Sequence, residues 1–157
     1  MDTCKIADPQ DDIGYLIWQV LKFWQRGKHR ILDEFGITAS QLEVMGAIYH
    51  RGEEDREVTQ VLLSQDTNID PMTVSTILRN LQKKGLIDRT ESKTDTRARS
   101  VKITKQGNEL FVKAIVRVKE EQEYLFRNIE KEALKKQLQI LLAELNKKVE
   151  INKQSIK

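Results

Sequence analysis

Residues 70–104 read DPMTVSTILRNLQKKGLIDRTESKTDTRARSVKIT, and this order of local signals leaves few folds open. Asp70 is a favourable N-cap, and Pro71 suits the first helical position, where its fixed φ and missing amide do no harm. Val74, Ile77 or Leu78, and Leu81 give the helix an inward stripe, and Gly85 supplies a left-handed stop. Residues 86–89 and 100–104 are strand-like, and the second run alternates cleanly. Between them residues 92–99 are polar and basic with no aromatic anchor, so they should project into solvent. A capped helix followed by a β-hairpin is the expected unit.

Charge is concentrated in the same place. Residues 71–105 carry nine Lys/Arg against three Asp/Glu, a net of +6 on a chain whose total is +3. Residues 1–70 carry seven basic and thirteen acidic side chains, and residues 106–157 eleven and eight. A local basic surface is the footprint of a polyanion binder. The plainer alternative is a solvated surface whose charges segregate by chance.

The chain before this stretch supplies a partner helix. Thr38-Ala39-Ser40-Gln41 fits a capping box after the stop at Gly36, and Leu42, Met45, Ile48 and Tyr49 form the buried stripe of the helix it starts. Residues 51–57 read as a charged loop. A short helix over about 59–66, with Val61, Leu62 and Leu63 inward, then runs into the connector 67–69. Two short helices joined tightly match a helix-turn-helix. The second presents Met72, Thr73, Ser75, Thr76, Arg79, Asn80 and Lys83 outward. Short side chains near the start allow close approach to base edges, while Arg, Asn and Thr supply the donors, acceptor and methyl used in major-groove readout. Lys83 and Lys84 suit phosphates. A hairpin beside that helix is a wing, and its arginines suit the narrow minor groove.

The flanking segments are helical. Ile13, Leu16, Ile17, Val20, Leu21 and Trp24 recur at helical spacing, with Tyr15, Trp18 and Phe23 on neighbouring directions. Such a helix needs more than one neighbour, either a second subunit or a deep position in its own domain. Gly27 is expected to loosen it. Thr104 caps a long helix over about 105–128, in which Gly107 permits close backbone approach. The last helix, from about Lys131, places Leu134, Leu138, Leu141, Leu145 and Val149 at steps of four and three, a stripe that calls for a partner helix. Residues 152–157 should fray.

Other classes have little support. No apolar run reaches the roughly 18 residues of a membrane span, and the first residues are acidic rather than a leader, so a soluble cytoplasmic protein without membrane contact is expected. Cys4 alone excludes an intramolecular disulfide and a multi-cysteine metal site. His29 and His50 lie in separate helices, and no phosphate loop, nucleophile triad or metal-ligand spacing stands out. The expectation is a non-enzyme without cofactor or metal.

Taken in order, the leading helix, ITASQLEVMGAI, the helix pair, LQKKGLIDR and DTRARSVKITKQG resemble the MarR family of bacterial transcriptional regulators over nearly the whole chain. Asp95, Arg97, Val101, Ile103, Thr104 and Gly107 occupy the places of the family's wing-to-helix pattern. The resemblance implies a mainly α fold with a small β-hairpin wing: a single domain with a winged helix-turn-helix lobe at 38–104 and dimerisation helices at 11–35 and 105–152. It implies a homodimer on a palindromic double-stranded DNA operator. The recognition helix (Met72 to Lys84) would enter the major groove and the wing (Lys93, Asp95, Arg97, Arg99) the minor groove. Asp95 would pair with an arginine to hold the wing, and Arg97 would lie nearest the DNA. Ile13, Ile17, Leu138, Leu141 and Leu145 would serve the dimer. A small aromatic or phenolic effector would lie in a crevice, for which Tyr15, Trp18, Trp24 and His29 are candidates, although aromatics at this spacing also suit a core.

The family often has a basic residue where this chain has Thr76, so its operator does not carry over. A peroxide-sensing branch uses a cysteine within the first helix, whereas Cys4 precedes it; thiol sensing is one alternative reading. A winged-helix module that binds protein instead of DNA is the other.

Overall fold

The computed structural model describes residues 9–53, 57–91 and 99–154, with side chains from 10 to 148. A single 3-10 turn at Pro9–Asp11 leads into six α-helices and one hairpin: α1 (Ile13–Asp33), α2 (Ala39–Glu53), α3 (Gln60–Thr67), α4 (Pro71–Lys83), β1 (Ile87–Glu91), β2 (Arg99–Ile103), α5 (Lys105–Leu125) and α6 (Lys131–Gln154). The chain divides into two compact units, residues 1–118 and 119–157.

In the first unit the helix boundaries follow local chemistry. Asp12 caps α1 by accepting from the Tyr15 amide at 2.6 Å. The helix runs unbroken through Gly27, against the loosening expected there. Gly36 turns with φ +63°. The capping box then closes reciprocally: the Gln41 amide donates to Thr38 Oγ1 (3.2 Å), and the Thr38 amide donates to Gln41 Oε1 (3.1 Å). Asn68, at φ 53°, ends α3, and the Thr73 amide donates to Asp70 Oδ1 at 2.9 Å to start α4.

The core joins α2, α3, α4 and the hairpin. Leu32, Val44, Met45, Ile48, Leu63, Val74, Leu78, Leu81, Ile87 and Val101 are fully buried, and Phe111 and Ala114 of α5 close it. Both Ile77 and Leu78 are buried, so α4 uses a wider stripe than one residue per turn. Val61 faces solvent, contrary to expectation. α3 has only two turns, and Leu63 takes the inward position.

β1 and β2 pair antiparallel in the register Ile87↔Ile103, Arg89↔Val101 and Glu91↔Arg99. A third segment supports them: the Val101 amide donates to Val58 O at 2.8 Å, and Thr59 bridges Ser100. At the other end Gly85 adopts φ +69°, Thr104 Oγ1 donates to Gly85 O (2.7 Å), and the Gly107 amide donates to Thr104 Oγ1 (3.0 Å). A Cβ on Gly107 would lie 2.0 Å from Leu86 O, so close backbone approach demands glycine there.

The second unit contains the end of α5 and α6. The Arg127 guanidinium stacks 3.8 Å from the Tyr124 ring centroid, and Lys131 pairs with Glu123 across the turn. No helix among the described residues is long and apolar enough to cross a membrane.

Candidate nucleic-acid interface

α3 and α4 are held at their turn by side-chain bonds to backbone. Ser64 Oγ donates to Ile69 O (2.6 Å), Thr67 Oγ1 to Leu63 O (2.7 Å), and Gln60 Nε2 reaches across to Pro71 O (3.0 Å). These contacts aim α4, whose buried residues Val74, Ile77, Leu78 and Leu81 occupy one side and leave the other to solvent.

Met72, Thr76, Arg79 and Lys83 follow one another at helical steps and form a single exposed row. Met72 is 82% exposed, so it belongs to the solvent face of α4 and not to the core. Thr73 and Asn80 flank the row on one side, and half-buried Ser75 lies on the other. Within the row, Arg79 Nη2 donates to Thr76 Oγ1 (3.2 Å), and that hydroxyl donates to Met72 O (3.1 Å). Thr76 therefore orients Arg79 before any ligand arrives.

Lys84 does not share this row. It is the C-cap of α4, still in right-handed helical conformation one residue before the turn at Gly85, and its ammonium donates to the Gly36 carbonyl and to Gln41 Oε1 (3.4 Å). Lys84 stays exposed, and in the free protein these bonds tie the end of α4 to the start of α2.

In the wing, Arg99 is exposed at the start of β2, opposite Glu91. Lys93, Asp95 and Arg97 lie outside the described residues, as does Cys4. Arg89, counted in the basic excess but not assigned a role from sequence, is half-buried on β1. Burial, then the nearby charges of Arg99 and Arg79, hold its pKa below the ordinary arginine value. Its signal in the sequence was the two-residue alternation from buried Ile87, which turns residue 89 inward.

On α1, Trp18 and His29 border a hollow of about 340 Å³ together with Leu21, Lys22, Gln25 and Arg26. Tyr15 adjoins it through Trp18, ring centroids 5.8 Å apart, and Lys22 Nζ lies 4.6 Å over the Trp18 ring. Trp24 does not line the hollow. Six residues beyond Trp18 is far from a whole number of helical turns, so it points elsewhere.

Only Ile31 and Leu32 of α1 are buried, while Ile13, Leu16, Ile17, Val20, Leu21 and Phe23 are exposed. In the second unit Leu138, Leu141 and Leu145 are exposed along α6. Among the described residues no group of His, Cys, Asp and Glu is placed to hold a metal ion.

Comparison with known proteins gives consistent matches. The MarR family model matches residues 35–98. An uncharacterised HTH-type transcriptional regulator of Bacillus subtilis, YdcH, is 31% identical over 111 residues, covering 71% of this chain and 76% of that protein. Among solved structures, the S. aureus MepR–DNA complex is 25% identical with a TM-score of 0.74, covering 88% of this chain and 99% of that one. CouR from Rhodococcus jostii RHA1, solved with p-coumaroyl-CoA, is 22% identical with a TM-score of 0.73, covering 86% and 92%.

Proposed function

Since the chain belongs to the MarR family of winged helix-turn-helix, DNA-binding transcriptional regulators, we propose that it acts as a homodimer on a palindromic operator under the control of a small effector. The exposed row Met72–Thr76–Arg79–Lys83 carries the proposal. It is a polar, basic helix face held by the helix-turn-helix contacts and flanked by an arginine-bearing hairpin. MepR, similar over nearly its whole length, was solved with DNA, which supports the same use of α4 here.

Thr76, Arg79 and Asn80 read base edges, Met72 and Thr73 make apolar contacts, and Lys83 neutralises phosphate. The 38–104 lobe binds DNA, with Lys93, Asp95, Arg97 and Arg99 forming the wing. Residues 11–35 and 105–152 dimerise, which gives the exposed apolar faces of α1 and α6 a partner. The hollow beside Trp18 and His29 takes the effector, an aromatic or phenolic acid suited to Lys22 and Arg26.

The test is selection of duplexes from a random pool by the purified protein. The expected product is a palindrome with half-sites about one helical turn apart, near 34 Å. Arg79→Ala should relax the preference at one position per half-site, by roughly 1–3 kcal/mol. Recovery of no preferred sequence would remove the operator reading.

A further inference from the structure

We propose that Arg89, flanked by Arg79 and Arg99, seats one phosphodiester of bound DNA at the seam between the recognition helix and the wing. The inference rests on the DNA-binding reading and deepens it, because it adds a residue from beneath the hairpin rather than from the exposed faces.

The pleat of β1 sets the direction of this side chain. Ile87 is buried opposite Ile103, and Arg89, two residues on, lies opposite buried Val101, so both share the hairpin's inner face. Arg89 Nε is sealed from solvent and has no hydrogen-bond partner among the described residues. Guanidinium does not deprotonate at any physiological pH, so this position keeps a full charge and an unmet donor. Arg99 and Arg79 then add repulsion, the reverse of what a structural arginine receives. Glu91 shares the inner face but stands opposite Arg99 in the ladder, and no ion pair joins a carboxylate to Arg89 among the described residues.

A sequence selected for stability alone would place an apolar residue here, as it does at Ile87 and Val101. The unmet donor of Arg89, under the like charges of Arg99 and Arg79, is satisfied by an external anion, and planar guanidinium forks match phosphate oxygens. Arg79 belongs to the row that faces DNA, so the anion at this seam is the DNA backbone. The wing and recognition helix then grip the same strand, and the duplex relieves the repulsion that the free protein carries.

Two arms test this with the full chain. In the first, the selected duplex is titrated against wild type and Arg89→Gln over a range of salt. The variant should bind roughly tenfold or more weakly, with the log–log salt slope reduced by about one. Arg89→Lys should recover part of the affinity and the slope. In the second arm, thermal midpoints of the DNA-free proteins are compared in inorganic phosphate and in chloride at matched ionic strength.

If wild type binds DNA and Arg89→Gln leaves both affinity and slope unchanged, the proposal is overturned. That includes the case in which phosphate alone stabilises wild type over the variant, which assigns the seat to a free anion. If wild type binds no duplex, the DNA reading itself has failed, and a phosphate-specific gain in wild type alone would mark that failure as separate from the seat. Arg89→Leu, which the inner face beside Ile87 and Val101 should accept, keeps the test decisive should Arg89→Gln not fold: it too must weaken binding and lower the slope.

Discussion

Substituting alanine at three helical glycines sets two opposed effects against each other. In a helix interior, alanine is favoured over glycine by about 1 kcal/mol. At Gly27 nothing lies within 4 Å of the new Cβ, so Gly27→Ala should realise most of that gain. At Gly46 the Cβ would meet Phe111 at 3.5 and 3.6 Å, ordinary contact, and the gain should survive. At Gly107 the Cβ would sit 2.0 Å from Leu86 O, 2.8 Å from Leu86 C and 3.0 Å from Ile103 Cγ1. Carbon contacts settle near 3.5–4.0 Å, so the start of α5 must shift by about 1.5 Å against backbone that cannot rotate away.

Overpacking of this kind costs roughly 1–3 kcal/mol. Moving Leu86 O also strains its bond from the Thr104 amide (3.1 Å), worth about 1 kcal/mol. Set against the helix gain, Gly107→Ala should lose about 1–3 kcal/mol, or roughly 2–12 °C in midpoint for a chain of this size. Urea and thermal unfolding at fixed protein concentration would read all three variants. A Gly107→Ala protein as stable as wild type, or a rank order that does not place it below Gly27→Ala, would refute the close packing of α5 on the residue before β1.

Asp66 is held below the usual carboxylate range by the Arg51 side-chain hydrogen bond first, and Asp70 by its bond from Thr73. Folding favours both charged forms, so their contributions are present above the unfolded pKa of about 3.9 and fade as pH falls through the lowered folded values. Acid unfolding should steepen below about pH 4, and Asp70→Asn, which retains a cap but no charge, should flatten that limb by lowering stability near pH 7 toward its acid value. Lys83→Ala should lower the salt slope of DNA binding by about one, while Lys84→Ala should leave it unchanged and lower the thermal midpoint, because Lys84 binds the Gly36 carbonyl. Ile17→Glu and Leu141→Glu should each convert a sedimenting dimer to a folded monomer at micromolar concentration; a monomeric wild type would contradict the dimer.

Signals confined to a few adjacent residues read directly from sequence. The capping box at Thr38 and Gln41, the Asp70–Pro71 start, the stops at Gly36 and Gly85 and the Thr104 cap each depend on chemistry within three or four positions. Signals that depend on a distant partner did not. The bond from the Val101 amide to Val58 O joins residues 43 positions apart, and the charged run before Val58 has no alternation to announce a strand. Val61, Leu62 and Leu63 are consecutive apolar residues in a two-turn helix, too short a pattern to set its own phase, so the surrounding core decided that Leu63 goes inward. The bond from the Lys84 ammonium to Gly36 O likewise joins residues 48 positions apart, so no local pattern announced it.

Arg89 differs from these cases, because both halves of its reading were in the sequence. Alternation from Ile87 turns it inward, and counting charge makes it one of the basic residues in an excess of six. The two inferences conflict: a strand's inner face selects apolar residues, whereas a polyanion site selects cations on the outside. Nε is sealed and has no hydrogen-bond partner among the described residues. Under the proposal made above, a phosphate of bound DNA meets that donor at the seam between α4 and the hairpin. That conflict between pattern and charge is what the Arg89→Gln titration tests.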